Sequence, residues 1–168
     1  MCLAGVTGAA LALLQDKEER AYFVAAAEKY YVYGMKGYSD DGYCSEGVGY
    51  YNYGFCSFIL LREEICRATK GKIDFFRTPK FARIAQYGKK IQIMNQVCPA
   101  YADCRAGVSP SWFITNYCDN VLGTAPYEEK YEIPGMDNLS LHTIGMFPPS
   151  GLESGNDSRN TRGIEGRG

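Results

Sequence analysis

The chain has 168 residues, enough for one domain of ordinary size and too few for a large multidomain enzyme. Its 18 Lys and Arg residues nearly balance 19 Asp and Glu residues, so we expect no nucleic-acid partner held by a global positive field. Tyrosine is the unusual residue: nine of the 14 tyrosines lie between Tyr22 and Tyr53. Such rings fill protein cores and also line sugar-binding sites.

The first predicted element is an apolar helix over Met1 to Leu14 that contains several small residues, such as Ala4 and Gly8. It is shorter than the roughly 20 residues of a membrane span, so we expect no membrane span. No Lys or Arg precedes Lys17, so the segment also lacks the charged start of a secretory signal. We expect a buried inner helix, in a chain that forms one part of a longer protein.

The second predicted helix covers Lys17 to Tyr33 and ends at Gly34 and Gly37. One of its faces carries residues at helical spacing: Tyr22, Ala26, Tyr30 and Tyr33.

The third predicted helix runs from Val48 to about Thr69. Its apolar stripe consists of Gly54, Phe58, Leu61 and Ile65. We expect the charged residues to form the solvated side of this helix: Arg62, Glu63, Glu64, Arg67 and Lys70.

Two shorter helices are predicted by start and stop signals. Thr78-Pro79 favours a helix that reaches about Tyr87, and Ser109-Pro110 favours one that ends at Leu122, before Gly123. Only the segment from Lys90 to Met94 has an extended pattern. The sequence therefore predicts an all-α domain of about five helices over residues 1–123, followed by an irregular tail rich in Pro, Gly and Ser over 124–168.

Seven cysteines and a single histidine, His142, show no zinc-ligand spacing, so we expect neither a metal nor a cofactor. Buried free thiols are the simplest interpretation, since several cysteines lie in apolar helical stretches. A disulfide between Cys98 and Cys104 is the alternative.

The residues best suited to chemistry surround the predicted start of the third helix. Ser45 is predicted to cap this helix, which places Glu46 in its first turn. Glu46, Tyr50 and Tyr53 are spaced i, i+4 and i+7, so they share one helical face. Packing of aromatic rings at a helix start would explain the same pattern without a site.

Two glycines in this first turn, Gly47 and Gly49, each cost the helix about 1 kcal/mol. That cost is easier to understand if some other group must come close to the backbone there.

This segment resembles the motif D-G-x-x-x-E-G-x-x-Y-x-x-Y-G of the heparinase II/III-like polysaccharide lyases, which are related to alginate and chondroitin lyases. The matching residues are Asp41-Gly42, Glu46-Gly47, Tyr50 and Tyr53-Gly54. Weaker matches extend the resemblance over roughly residues 1–123: Cys2-Leu3-Ala4-Gly5, Pro79-Lys80-Phe81 and Pro99-Ala100-Tyr101-Ala102-Asp103-Cys104.

The resemblance implies an incomplete (α/α) toroid that belongs to a lyase of acidic, uronic-acid-containing polysaccharides acting by β-elimination. It implies that Tyr50 is the general base and acid, with Tyr53 and Glu46 contacting substrate. Trp112, the only tryptophan, would stack on a sugar ring or pack in the core. A tyrosine phenol ordinarily has a pKa of about 10, so the base role needs a nearby cation. The parent enzyme would act in the periplasm or cell envelope, with the rest of the toroid and a C-terminal domain as partners.

The sequence departs from the family pattern in one respect. The Asn/His pair that neutralises the substrate carboxylate should lie just upstream of Met1-Cys2-Leu3, and no Asn or His precedes Gln15. The family also has a histidine well downstream, past the end of the toroid, and His142 is too early and too isolated to be it. Since loss of one such donor costs roughly 10²–10³ in rate, we expect the chain by itself to be nearly inactive.

Two other functions remain open from the sequence. A glycoside hydrolase on a similar barrel would use Glu46 and Asp41 as its paired carboxylates, and a carbohydrate-binding module would have no catalytic residue. A basic stretch would either line a groove for an anionic chain or form a solvated face: Arg77, Lys80, Arg83, Lys89 and Lys90. The residues that select one particular polysaccharide lie largely outside this chain.

Overall fold

The computed structural model describes residues 1–94 and 97–124. In these two ranges the chain forms six α-helices, one short 3₁₀ helix over Phe75–Arg77, and no strand. The α-helices are α1 (Cys2–Leu13), α2 (Lys17–Met35), α3 (Gly47–Ala68), α4 (Pro79–Ala85), α5 (Tyr87–Lys90) and α6 (Trp112–Leu122). The all-α prediction is confirmed for this part of the chain. The predicted tail beyond Thr124, with His142, lies outside the described residues.

Contacts along the helices fix their relative directions. The hydroxyl of Tyr53 reaches Met1, and the side chain of Glu64 lies against Gly8, so α1 and α3 run parallel. Gly34, near the end of α2, lies against Phe58 of α3. The chain after α2 then returns toward the start of α3, which makes α2 antiparallel to both.

The second half of the chain continues this alternation. Asn52 bonds to the backbone just before α6, and Tyr117, midway along α6, contacts Glu63, so α6 is parallel to α3. Tyr51, near the start of α3, donates to the carbonyl of Ala85 at the end of α4. The ring of Phe55, one turn later in α3, lies 6.3 Å from that of Phe81, one turn earlier in α4, so α4 is antiparallel to α3. Helices α1, α3 and α6 therefore share one direction.

The core is aromatic and centres on α3. The ring of Phe55 stacks on Tyr51 at 5.4 Å and on Phe76 at 6.1 Å between centroids. Phe81 of α4 stacks on Phe76 at 5.1 Å. Because these rings come from three successive elements, they hold the first turns of α3 against α4, which is where the motif residues lie.

Two predictions for α3 need correction. Leu61 and Ile65 of the predicted apolar stripe are buried, whereas Gly54 and Phe58 are only half-buried. Arg62 and Glu63, predicted to be solvated, are buried as well. The cost of burying these two charged groups is offset by hydrogen bonds, since Arg62 and Glu63 bond to each other and to residues on other elements.

The structure also shows which faces of α1 and α2 are exposed. In α1 the buried residues are Ala4, Thr7 and Ala10, which lie on one face of the helix. The prediction of a buried helix is therefore wrong for the other faces of α1. Small residues let α1 pack closely on α2 and α3 through one side only. In α2 the predicted tyrosine face is exposed, and the buried side consists of Val24, Ala27 and Met35.

The ends of the short helices are shifted from the predictions. Ser111, and not Ser109, is the N-cap residue of α6, whereas Gly123 ends α6 in the left-handed region as predicted, at φ 66°. The prediction of an extended segment from Lys90 to Met94 is wrong at Lys90, which is the last residue of α5. Of that segment only Met94 is paired, in an isolated bridge. No helix in the described ranges has both the length and the apolar composition needed to cross a bilayer.

Candidate functional site

The loop before α3 is closed by Asp41. The Ser39 hydroxyl donates a hydrogen bond to the Asp41 carboxylate, and the Tyr43 N–H donates to the same oxygen at 3.1 Å. The bond from Ser39, followed by that from Tyr43, lowers the pKa of Asp41. Asp41 is therefore held ionised as a turn-forming acceptor, a state that does not suit the protonated acid of a glycoside hydrolase.

The start of α3 differs from the predicted cap. Glu46 is itself the N-cap residue and its side chain makes no capping bond, so the predicted cap at Ser45 is wrong. Gly47 has φ 86°, and a Cβ there would lie 2.6 Å from the Cβ of Cys104. The close approach expected at Gly47 is therefore made by this chain's own segment 101–104. Gly49 has no described atom within 4 Å of its Cβ position.

The three tyrosines in the first two turns of α3 have different environments. Tyr50 is 45% exposed and Tyr53 is 51% exposed, whereas Tyr51 is 1% exposed. Burial raises the pKa of Tyr51 well above its usual value, and its hydroxyl donates to the carbonyl of Ala85 at 3.3 Å. A ligand can therefore reach Tyr50 and Tyr53 but not Tyr51.

Asn52 connects this helix to Trp112. Its side-chain amide donates to the carbonyl of Ser109 at 2.9 Å, and its Oδ1 accepts from the N–H of Ser111 at 2.9 Å. These two bonds hold the start of α6, where Trp112 is 41% exposed, beside the first turns of α3. Sequence analysis did not identify Asn52, because its partners lie 57 and 59 positions later.

The parallel directions of α1, α3 and α6 place their N-terminal ends at one end of the molecule. Four predicted site residues are exposed at this end: Glu46, Tyr50, Tyr53 and Trp112. The hydroxyl of Tyr53 lies 3.2 Å from the sulfur of Met1. For Tyr50 no hydrogen bond or cation–π contact is found within residues 1–94 and 97–124, so the activating cation that a tyrosine base needs is not supplied by this part of the chain.

A second group of tyrosines lies beside the loop before α3. The Tyr101 hydroxyl donates to the carbonyl of Cys44 at 2.7 Å and lies 2.5 Å from the Tyr87 hydroxyl. The ring of Tyr43 stacks on Tyr101 with centroids 5.8 Å apart. Burial raises the pKa of Tyr87 to about 12 and also raises that of Tyr101, so both phenols stay protonated.

The predicted basic stretch does not form a continuous cationic groove. Lys89 bonds to Asp119 at 2.5 Å, and Lys80 pairs with Asp40 at 3.5 Å. Arg77 and Arg83 donate to backbone carbonyls of Gly71 and Asp40. Of the five cations, Lys90 alone has no ion pair or hydrogen bond to a described residue.

The cysteines are free thiols. Cys98 and Cys104 are buried and unbridged, so the disulfide alternative is wrong, and Cys2 is the one exposed thiol. No three His, Cys, Asp or Glu side chains within the described ranges lie close enough together to hold a metal ion.

Comparison with known proteins finds no family model, no curated protein and no solved structure that matches the chain.

Proposed function

We propose that this chain is part of a polysaccharide lyase that cleaves uronic-acid-containing polysaccharides by β-elimination, with Tyr50 as the proton-transfer residue. The main support is the exposure pattern at the start of α3, where Tyr50 and Tyr53 are open to solvent and the intervening Tyr51 is buried. A ring that serves only to pack within this part of the chain is buried, as Tyr51 is, whereas Tyr50 and Tyr53 are left open to a ligand. The resemblance to the heparinase II/III-like family supplies the reaction.

The alternating helix directions support the proposed incomplete toroid. In an (α/α) toroid, helices of one direction form an inner ring and the connecting antiparallel helices form an outer ring. Helices α1, α3 and α6 would belong to the inner ring, with α2 and α4 outside. The exposed apolar side chains of Met1, Val6 and Leu13 on α1 would then be covered by the remainder of the toroid.

In this mechanism the Tyr50 oxygen, as phenolate, removes the C5 proton of a uronate. The electrons of that bond form a C4–C5 double bond while the C4–O bond breaks, and the leaving oxygen takes the proton back from Tyr50. Tyr53 and Trp112 would contact the sugar rings, and Glu46 would accept hydrogen bonds from their hydroxyls. Groups from the rest of the protein would neutralise the substrate carboxylate, so the chain by itself should be nearly inactive.

The test is an assay of the protein that carries this chain in full, on heparan, chondroitin and alginate. Elimination leaves an unsaturated uronate that absorbs ultraviolet light, whereas hydrolysis does not. Tyr50→Phe should lower kcat roughly 10²–10⁴-fold without unfolding the protein. Tyr51→Phe is the matched control, and should leave kcat nearly unchanged because its hydroxyl bonds only within the core.

Other outcomes would contradict the proposal. Cleavage without the ultraviolet product would favour a hydrolase, and binding of the polymers without any cleavage would favour a carbohydrate-binding module. Near-normal turnover by Tyr50→Phe, with activity lost in Tyr53→Phe or Glu46→Gln, would remove Tyr50 from the proton-transfer role.

A further inference from the structure

A pocket of about 140 Å³ opens beside the loop before α3. Its lining residues are Asp41, Gly42, Tyr43, Tyr87, Lys90 and Ile91. The ring of Tyr87 lies 4.9 Å from that of the buried Tyr51, so the pocket is built against the first turns of α3. It is smaller than the 300–1,000 Å³ of typical drug-sized sites, and has room for about one sugar ring.

One wall of this pocket is a supported aromatic platform. Tyr43 is 41% exposed, and its ring is nearly parallel to that of Tyr101 behind it, at an interplanar angle of 10°. The ring of Tyr87 meets Tyr43 edge-on at 5.9 Å. Because Tyr101 and Tyr87 bond to each other and to the Cys44 carbonyl, this wall is fixed before any ligand arrives.

The polar groups of the pocket are an acceptor and a cation. One carboxylate oxygen of Asp41 is occupied by Ser39 and Tyr43, which fixes the side chain and leaves the other oxygen available to accept a hydrogen bond. Lys90, at the end of α5, brings an exposed ammonium group whose charge helps to lower the pKa of Asp41 but which forms no ion pair with a described carboxylate. A ligand that satisfies both must carry hydroxyl donors and an anionic group on one small ring.

We propose that this pocket binds a single hexuronate ring, with its face on Tyr43, a hydroxyl donating to Asp41 and its carboxylate on Lys90. Sulfate has no hydroxyl to offer Asp41 and would be repelled by it, whereas a neutral hexose forms no ion pair with Lys90. This inference deepens the proposed function and rests on it, since the ring would be a unit of the same polymer.

The test is calorimetric titration of the chain with glucuronate, glucose and inorganic sulfate. Glucuronate should bind about tenfold more tightly than glucose, the size expected for one hydrogen bond to a charged group, and sulfate should not compete. Lys90→Met should remove this preference while leaving glucose binding unchanged. Because Lys90 is exposed, the variant should fold normally.

Two further variants define the site. Tyr43→Ala should weaken binding of both sugars about tenfold or more, through loss of the stacking platform. Lys36→Met is the control, since Lys36 is an exposed lysine that contacts the ring of Tyr33 on α2, and it should change nothing. Equal binding of glucuronate and glucose, competition by sulfate, no binding of either sugar, or a preference that survives Lys90→Met would each overturn the proposal.

The binding titration and the lyase assay test the two proposals independently. Tyr50→Phe should leave glucuronate binding in the pocket unchanged while it lowers the kcat of elimination. Lys90-dependent binding in a protein without lyase activity would refute the proposed reaction and keep the pocket. Elimination that depends on Tyr50, in a protein whose pocket binds no uronate, would refute the pocket alone.

Discussion

Gly47 determines how the chain enters α3. Its positive φ and the 2.6 Å between its Cβ position and Cys104 leave no room for any other residue. The segment that packs on it carries Tyr101, whose carbonyl would lie 3.2 Å from the same Cβ and whose hydroxyl bonds to Cys44. The loop before α3 and the segment 101–104 can therefore pack against each other only because residue 47 has no side chain.

Gly47→Ala should reduce the free energy of unfolding by about 2–4 kcal/mol, since it adds both a left-handed strain and a steric overlap. Gly49→Ala is the matched control two residues away, where the Cβ meets open space. It should increase stability by about 0.5–1 kcal/mol, because alanine favours the helix. Urea unfolding of the two variants measures both values, and similar effects at the two positions would contradict this view.

The sequence alone could not separate these two glycines. Both lie in the predicted first turn and both reduce helix propensity equally. What distinguishes them is a backbone angle and a neighbour more than fifty positions later, neither of which local propensity encodes.

At the scale of elements, Arg62 joins α3 to two others. Its guanidinium bonds to both oxygens of Asp74, at 2.9 and 2.7 Å, and its Nη1 donates to the Tyr117 hydroxyl at 2.9 Å. Asp74 also caps the 3₁₀ helix by accepting from the N–H of Phe76. Burial alone would raise the pKa of Asp74, but its bonds from Arg62 and Phe76 outweigh this and lower it.

Arg62→Met should destabilise the fold by about 3–5 kcal/mol, because it leaves the buried carboxylate of Glu63 with only the exposed Arg67 and the partly buried carboxylate of Asp74 without its ion-pair partner. Arg67→Met is the control, since Arg67 pairs with the same Glu63 at 3.0 Å but its side chain is 46% exposed. That change should cost less than about 1 kcal/mol. Thermal unfolding monitored by circular dichroism compares the two, and a small effect at Arg62 would show that the network contributes little.

The positions of the long helices could be predicted from the sequence, but which of their residues are buried could not. The periodicity of α3 and the stop signals around Gly34 and Gly123 are local, and the structure follows them. The sequence predicts a solvated Arg62 because charged residues on a long helix usually face water. Its partners, Asp74 and Tyr117, lie 12 and 55 positions further along the chain, so no local pattern indicates them.

For the whole molecule, the candidate site was predictable in its residue types only. The spacing of Tyr50 and Tyr53 placed them on one face, and both are exposed. That Trp112 lies at the same end of the molecule follows from the parallel directions of α3 and α6 and from the amide of Asn52. Helix directions depend on how all connections close, which no single segment determines.

The packing of α1 on the rest of the molecule involves a buried carboxyl group. Glu64 of α3 lies over Gly8 of α1, where a Cβ would overlap its carboxylate. The Oε2 atom of Glu64 is buried and makes no hydrogen bond with any described residue. Burial raises the pKa of Glu64 from 4.5 to about 7.

This pKa makes the stability of the molecule depend on pH in a defined direction. The folded state binds the Glu64 proton more tightly than the unfolded state, so its contribution is full below about pH 4.5 and decreases as pH rises through about 7. Glu64→Gln keeps the shape and removes the charge. It should match the wild type near pH 5 and exceed it near pH 8 by on the order of 1 kcal/mol, a value reduced for solvent screening.

Urea unfolding of both proteins between about pH 5 and about pH 8 measures this difference, in which the titration of all other groups cancels. The carboxylate of Asp74 does not interfere, because its lowered pKa places its titration below this range. Glu28→Gln, an exposed position on α2, is the control and should change stability by less than about 0.5 kcal/mol throughout. If wild type and Glu64→Gln differ by the same amount at every pH, the carboxyl group does not titrate at the interface of α1 and α3, and its charge does not oppose the docking of α1.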